Sequence, residues 1–165
     1  MTESRRLNVL FLCTGNSARS VLAEALLNHL GDGRFRAFSA GSTPKGKIHP
    51  LALTVLRREN LPVAELRSKS WDEFRLQGAP KLDFVFTLCD SAAAESCPAW
   101  LGQPLTAHWG LPDPAAAQGG ESLQLQAFSE TLVELRKRIQ RFLQVTVDTS
   151  DRGGLQAQLN NIGHL

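Results

Sequence analysis

A cysteine and an arginine lie six positions apart near the start of the chain, separated only by small or flexible residues. Cys13 precedes the segment Thr14-Gly15-Asn16-Ser17-Ala18, and Arg19 follows it. Gly15 and Asn16 are residue types that tolerate a positive φ, so the segment can curl until its N–H groups point inward. Inward amides and a guanidinium bind tetrahedral oxyanions, and their field is expected to lower the pKa of Cys13 and hold it as a nucleophilic thiolate.

The elements on either side of this segment favour that interpretation. Residues 9–12 are an apolar run that predicts a buried strand ending at Cys13, and residues 17–31 have a helical pattern with Ser17 as the expected N-cap. The N-terminus of that helix would add its positive field to the segment. The plain alternative is a buried cysteine at the end of a core strand, with Arg19 on a solvated helix face. It leaves the Gly-Asn loop unexplained.

Further apolar runs at residues 35–40, 82–88 and 105–109 predict strands that alternate with helical patterns. The clearest helical pattern repeats at three and four positions, in Phe128, Leu132, Leu135, Ile139 and Phe142. This alternation predicts an α/β fold, with a parallel sheet covered by helices on both faces. The segments after three of these strands would meet at the carboxyl edge of the sheet, where ligands bind in such folds.

The chain has three cysteines, an odd number that does not suit a secreted disulfide framework and instead favours a reducing cytoplasm. Cys89 and Cys97 follow the predicted strand at 82–88, so they are expected near Cys13. Their wide spacing disfavours a metal site, and none is expected. A hydrolase needs one nucleophilic thiol, whereas a reductase needs further thiols to supply electrons. An inert core thiol at Cys89 and a bystander at Cys97 remain open as alternatives.

Composition excludes several other classes of function. A chain of 165 residues with a net charge of +2 predicts one domain and gives no reason to expect nucleic acid or a membrane as a partner. Residues 1–145 are expected to form the catalytic domain, and residues 146–165 a loosely held tail with a short helix able to dock on a neighbouring chain. Lys45 and Lys47 are either solvated loop charges or cations that attract anions to the site.

The motif Cys-(x)5-Arg-Ser resembles the signature of the low-molecular-weight tyrosine phosphatases and of the arsenate reductases that share their fold. The resemblance to the arsenate reductases is the closer one. It extends to Ser39-Ala40-Gly41, Thr106-Ala107-His108-Trp109 and Asp113-Pro114. It implies a four-stranded parallel sheet in a three-layer sandwich.

The resemblance also implies roles for individual residues. Cys13 matches the nucleophile, Arg19 the guanidinium that holds the oxyanion, and Asp113 the general acid. Ser20 matches the hydroxyl that bonds the nucleophilic thiolate. The residues that the resemblance assigns to binding an arsenate or phosphate-like oxyanion are Thr14, Gly15, Asn16, Ser17, Ala18, Arg19 and Ser20.

For the other thiols, the resemblance implies a disulfide relay. Cys89 matches the thiol that displaces arsenite and leaves a Cys13–Cys89 disulfide, and Cys97 the thiol that moves the bond to Cys89–Cys97. No cofactor is bound; an external thiol reductant, thioredoxin or a glutathione–glutaredoxin couple, would open the final disulfide. Seven residues separate Cys89 from Cys97, one more than in the best-known thioredoxin-coupled members. Some relatives hold a potassium ion, and the corresponding positions here are Asn16, Glu24, Ser39, Ser70 and Asp72.

Three functions follow, in order of preference. The first is a cytoplasmic arsenate reductase that supports arsenic detoxification, the second a low-molecular-weight tyrosine phosphatase, and the third an oxyanion-binding redox regulator. Phosphatases of this family have aromatic residues after the Asp-Pro pair, whereas here Pro114 is followed by three alanines and the chain has no tyrosine. A mouth without aromatic side chains suits a small inorganic anion better than phosphotyrosine.

Overall fold

The computed structural model describes residues 6–90, 92, 100, 102–148 and 150–165. In this part of the chain, four parallel strands form one sheet in the order β2-β1-β3-β4. The strands are β1 (Leu7–Leu12), β2 (Phe35–Ala40), β3 (Phe84–Thr87) and β4 (Leu105–His108). The predicted α/β class and the parallel four-stranded sheet are therefore confirmed.

The strands are connected and covered by helices. These are α1 (Arg19–Leu30), α2 (Pro50–Arg58), α3 (Glu121–Leu143) and α4 (Arg152–Ile162), with short 3₁₀ helices at Trp71–Phe74 and Pro114–Ala116. Helix α1 begins two residues later than predicted, with Ala18 rather than Ser17 as its N-cap, because the preceding residues still belong to the curled loop. Of the helices that the structure describes, none combines the length and apolar composition of a membrane span.

Side chains of β1 alternate between two apolar layers. Val9 and Phe11 are buried in the larger cluster, together with the apolar faces of all four helices. Leu10 and Leu12 are buried in a smaller cluster on the other face, against Phe74 of the first 3₁₀ helix. Burial on both faces is typical of a parallel sheet and explains why the first strand reads as a continuous apolar run.

The register of the sheet brings the candidate segments to one edge. Leu12 lies level with Ala40 of β2 and with Thr87 of β3, and Thr87 lies level with His108 of β4. All four strands therefore end together, and the chain leaves each of them on the same side. The segments that begin at residues 13, 41, 88 and 109 consequently surround one cleft.

The segment 146–165 contains the helix that its spacing predicts, α4, but the structure corrects the expectation that it is loosely held. Leu155, Leu159 and Ile162 are buried in the larger core cluster of the same chain. The indole N–H of Trp109 donates to the backbone carbonyl of Leu159 at 2.9 Å. The helix packs on β4 and α3, so its apolar face is already covered.

We expect Leu159→Ala to lower the free energy of unfolding by about 2–5 kcal/mol, because it leaves a cavity in the core. Leu123→Ala, on the exposed side of α3, is the matched control and should change it by no more than about 0.5 kcal/mol. Urea denaturation of the two variants measures the difference. A Leu159→Ala protein as stable as the control would show that α4 is not part of the cooperative core.

Candidate active site

The loop formed by residues 13–18 is held open by hydrogen bonds to its carbonyl groups. The carbonyl oxygens of Thr14, Gly15 and Ser17 accept backbone N–H groups of Thr43 (3.0 Å), Lys45 (3.0 Å) and His49 (2.9 Å), respectively. A peptide plane points its C=O and its N–H in opposite directions, so the N–H groups that follow the Thr14 and Ser17 carbonyls are directed away from the segment 43–49, toward the cleft. The N–H of Asn16 instead donates to the carbonyl of Cys13 at 3.1 Å. The first two of these N–H groups belong to Gly15 and Ala18, which is the arrangement that the prediction of inward-facing amides requires.

Asn16 sets the curl of this loop. It has a φ of 43° and its side chain is fully buried. Its amide nitrogen donates to Ser20 Oγ at 2.8 Å, and its amide oxygen accepts the backbone N–H of Lys69 at 2.8 Å. Both ends of the side chain are thus bonded, which holds a left-handed conformation that costs less for asparagine than for most residues. The Ser20 hydroxyl is bonded to Asn16; among the described residues, no hydrogen bond joins it to the Cys13 sulfur.

Gly41 allows the chain to pass close behind the loop. A Cβ at this position would lie 2.4 Å from the carbonyl oxygen of Cys13 and 2.3 Å from that of Thr14. Its N–H donates to the carbonyl of Lys69 at 3.0 Å, and its carbonyl accepts the N–H of Trp71 at 2.9 Å. The residue after β2 must therefore be glycine for residues 69–71 and the loop to fit on either side of it.

Arg19 is aimed across the mouth of the loop. One terminal nitrogen donates to the carbonyl of Leu111 at 2.8 Å, and the other lies 3.9 Å from Asp113 Oδ2. Its Nε is buried and has no hydrogen-bond partner among the described residues. A guanidinium held on one side with an unused N–H on the other is oriented to bind an oxyanion in the cleft.

Asp113 faces the same cleft from the segment after β4. Its Oδ1 accepts the N–H of Ala115 at 2.9 Å and so caps the 3₁₀ helix Pro114–Ala116. Its Oδ2 is the oxygen that faces Arg19, and the side chain is 41% exposed. The cap fixes the carboxyl group while leaving one oxygen open to the cleft, which is the position a proton donor needs.

Cys13 and Cys89 form a buried pair at the base of the cleft. The two thiols are coupled, since each shifts the pKa of the other through a hydrogen-bonding interaction. Cys89 Sγ also accepts the N–H of Thr14 at 3.5 Å and that of Ala92 at 3.4 Å. Since N–H donors favour a thiolate, the second thiol is the better stabilised of the two as an anion.

This pairing also acts on the ionisation of Cys13, which the sequence predicts to be a thiolate. The hydrogen bond with Cys13, helped by the N–H donors, lowers the pKa of Cys89 to about 5, although burial acts the other way. The same hydrogen bond and burial raise the pKa of Cys13, and Arg19 opposes that shift. At neutral pH the pair therefore holds one proton and one negative charge. A sequence motif alone does not show that a second sulfur lies against the first.

The cleft has a volume of about 800 Å³ and brings together most of the predicted site residues. Lining residues among those predicted are Cys13, Thr14, Gly15, Asn16, Ser17, Ala18, Arg19, Cys89 and Asp113. Ser20 lies behind the loop, bonded to Asn16. Cys97 lies outside the described residues. Within the described cleft, no lining residue is aromatic.

The positions compared with a potassium site separate into two groups. Ser39 Oγ donates to Glu24 Oε1 at 2.7 Å, and the Lys69 ammonium lies 3.7 Å from the same oxygen. Burial raises the pKa of Glu24, and Lys69 opposes that rise. Ser70 and Asp72 are engaged elsewhere: Ser70 caps the 3₁₀ helix and Asp72 pairs with Arg75. In the described ranges, no group of three or more His, Cys, Asp or Glu side chains could hold a metal ion.

Comparison with known proteins places this geometry in a family. The model of the low molecular weight phosphotyrosine protein phosphatases matches residues 8–152. These include the loop of residues 13–18, called the oxyanion loop below, together with Cys89 and Asp113. The chain belongs to that family. Helix α4 begins where the match to the low molecular weight phosphatase model ends.

Relatives within the low molecular weight phosphatase family include reductases and a phosphatase. An arsenate reductase of Bacillus licheniformis is 38% identical over 135 residues, which are 81% of this chain and 93% of that protein. The structure of a thioredoxin-dependent arsenate reductase of Corynebacterium glutamicum has a TM-score of 0.58 at 27% identity, covering 84% of this chain and 64% of that one. The structure of a low molecular weight tyrosine phosphatase from T. tengcongensis has a TM-score of 0.62 at 26% identity, covering 83% of this chain and 97% of that one.

Sequence reasoning missed several contacts of this phosphatase-family site. Leu111 contributes only its carbonyl, so no residue type could indicate it. Lys69 reaches the loop through its backbone N–H from a position 53 residues away. His108 joins β4 to the residue after Cys89, since its Nε2 lies 3.0 Å from Asp90 Oδ1. Of these three residues, only His108 belongs to a motif that carries the family resemblance, Thr106-Ala107-His108-Trp109.

We expect Cys13→Ala to raise the pKa of Cys89 from about 5 toward the ordinary thiol value of 9.0, because the hydrogen bond that lowers it most is lost. Cys13→Ser keeps an O–H donor and should stay closer to wild type. The rate of carbamidomethylation at Cys89, followed by mass spectrometry against pH, measures the midpoint in each protein. If the pH midpoint of Cys89 modification is the same in wild type and Cys13→Ala, then Cys13 does not lower the pKa of Cys89.

Proposed function

We propose that this chain is an arsenate reductase, which converts arsenate to arsenite in the reducing cytoplasm and supports arsenic detoxification. The observation that carries the proposal is the pair of buried thiols that lie together in the cleft. Hydrolysis of a phosphate ester needs one thiol, whereas reduction of arsenate needs two electrons, which two thiols supply by forming a disulfide. The arsenate reductase of Bacillus licheniformis, at 38% identity, supports the same conclusion.

Binding of arsenate is assigned to the oxyanion loop and Arg19. The inward amides of Gly15 and Ala18 donate to the oxyanion, and Arg19 donates through Nε, which is buried and has no partner among the described residues. The hydrogen bond from Arg19 to the Leu111 carbonyl keeps the guanidinium plane aimed into the cleft. Charge-assisted hydrogen bonds of this kind are stronger than neutral ones, so the cleft favours a charged ligand.

In the first chemical step, Cys13 attacks arsenic. The proton that Cys13 holds passes along the hydrogen bond to Cys89, which carries the negative charge at rest. The sulfur–arsenic bond then forms and an arsenic–oxygen bond breaks, and Asp113 delivers a proton to the departing oxygen so that it leaves as water. The capped position of this carboxyl group, with Oδ2 facing the cleft, supports that role.

In the second step, the Cys89 sulfur attacks the Cys13 sulfur. The sulfur–sulfur bond forms, the sulfur–arsenic bond breaks, and its electron pair remains on arsenic, which passes from As(V) to As(III). The proton on Cys89 goes to an oxygen of the departing arsenite. Two thiols are oxidised for each arsenate reduced, so the electrons balance, and Asp113 regains from water the proton that it gave to the leaving oxygen. The existing contact between the two side chains means that this step needs little movement.

Regeneration is assigned to Cys97 and an external thiol reductant. In this proposal Cys97 attacks the Cys13–Cys89 bond and leaves a Cys89–Cys97 disulfide, which a thioredoxin or a glutathione–glutaredoxin couple reduces. The Corynebacterium glutamicum relative is described as thioredoxin-dependent, which supports a protein dithiol as the reductant. An external couple is required because the relay consumes the thiols of the chain.

Tyrosine phosphatase activity is the second candidate, favoured by the family itself and by the T. tengcongensis structure. Cys13, Arg19 and Asp113 would suffice for it. However, the described residues that line the cleft include no aromatic side chain to pack on a phenyl ring. Residues 115–117 after Pro114 are alanines, which present only methyl groups at this rim.

Single-turnover reactions of two variants test the proposal. In Cys97→Ser, one equivalent of arsenite should form and the protein should stop with a Cys13–Cys89 disulfide, because no internal thiol can move the bond. In Cys89→Ser, arsenite should not form, since nothing displaces it from Cys13. Arsenite analysis and mass spectrometry of the digested protein, without added reductant, measure both results.

Cys13→Ser is the matched control and should form neither arsenite nor disulfide. Multiple turnovers at the wild-type rate in both Cys89→Ser and Cys97→Ser, with a protein reductant present, would reject the relay. In that case hydrolysis of an aryl phosphate by Cys89→Ser would identify the chain as a phosphatase.

A further inference from the structure

Lys45 lies against Gly15 of the oxyanion loop and lines the same cleft as Arg19. We propose that Lys45 is a specificity-determining residue of the cleft, a second cation that sets its affinity for small, highly charged oxyanions. The inference deepens the proposed function, on which it relies for the identity of the substrate, arsenate. Its physical basis is the contact between this side chain and Gly15.

The backbone of Lys45 is fixed against the loop. Its N–H donates to the carbonyl of Gly15 at 3.0 Å, and the neighbouring N–H of Thr43 donates to that of Thr14 at 3.0 Å. The segment 43–45 therefore runs alongside the oxyanion loop and is joined to it by these two backbone hydrogen bonds. A side chain that starts from this position can reach the anion without a rearrangement of the backbone.

The side chain of Lys45 lies along Gly15. A Cβ placed on Gly15 would be 3.2 Å from Lys45 Cε, 3.4 Å from Cγ and 3.6 Å from Cδ. The aliphatic stem thus occupies the space that a side chain at position 15 would take. Since the ammonium is one bond beyond Cε, it lies at the edge of the cleft that Lys45 helps to line.

The charges around Lys45 leave its ammonium available to an anion. Among the described residues, no carboxylate forms an ion pair with it. The charge of Lys45 also affects His49. Burial is the main cause that lowers the pKa of His49, Lys45 lowers it further, and Asp113 raises it. Arg19 supplies the other cation of the cleft. An oxyanion between the two would neutralise both, and a site with two cations favours a multiply charged ligand.

Lys47 provides an internal comparison. It has the same charge, lies in the same segment and is exposed, but it does not line the cleft that Lys45 and Gly15 share. If the basic loop attracts anions only through its overall charge, replacing either lysine should lower the affinity for an anion equally. A specific role for Lys45 predicts unequal effects.

Titration calorimetry with inorganic phosphate at pH 8 and fixed ionic strength tests the inference on the reduced protein. Lys45→Met keeps the aliphatic stem and removes the charge, so phosphate affinity should fall by about tenfold. Lys45→Arg should retain most of the affinity, and Lys47→Met should stay within about twofold of wild type. In the arsenate reaction, Lys45→Met should raise KM with little change in kcat, as expected for an interaction made equally in the ground and transition states.

Equal phosphate affinity in Lys45→Met and Lys47→Met would overturn the inference. So would a loss in Lys45→Arg as large as in Lys45→Met, because it would show that packing rather than charge matters. Phosphate binding involves no thiol chemistry. A wild-type protein that binds phosphate as described but forms no arsenite would therefore reject the proposed function and leave this inference standing.

Discussion

The outward hydrogen bonds of the oxyanion loop are the constraint on which the rest of the site depends. Three carbonyl groups between residues 14 and 17 accept hydrogen bonds from backbone N–H groups of the segment 43–49. Asn16, which has a left-handed backbone conformation, forms a hydrogen bond through both its amide nitrogen and its amide oxygen. A loop with inward carbonyls would repel an oxyanion, so these bonds decide the sign of the field in the cleft. They come from distant segments, which explains why the loop needs the whole sheet edge around it.

The parallel sheet supplies those segments because its strands end level with one another. Cys13, Gly41, Cys89 and Asp113 come from four different parts of the chain, each a few residues beyond a strand. The Cys13–Cys89 contact is a direct result of β1 lying beside β3 in register. The family fold therefore brings the loop 13–18 and Arg19 to one cleft, and Cys89, placed after β3, adds a second thiol beside Cys13.

Much of this organisation could be predicted from the sequence. The strand β2 occurs at the predicted residues 35–40, because its apolar residues are contiguous in the sequence. The oxyanion loop could be predicted because its small residues, its cysteine and its arginine are contiguous. In each case the determining interactions lie within a few residues of each other.

The features that were not predicted depend on contacts between distant residues. The rise in the pKa of Cys13 comes first from a sulfur 76 positions away. The sequence predicts a loosely held tail for α4 because the helix has only three apolar residues in regular spacing. In the structure all three are buried in the core cluster, and Trp109 bonds to the backbone of one of them. The backbone donor of Lys69 and the Leu111 carbonyl have no side-chain signature at all. The local sequence pattern therefore indicates where the reactive residues are. Contacts between distant residues decide the pKa values of the two thiols.

The central claim is that the chain's own thiols provide the electrons that reduce arsenate. Its most direct test is the stoichiometry of one turnover: fully reduced wild-type protein is mixed with excess arsenate, without any reductant, and arsenite and remaining thiols are counted. The account predicts one arsenite formed and two of the three thiols lost for each chain. Three intact thiols with no arsenite, in a protein that still binds phosphate, would contradict it.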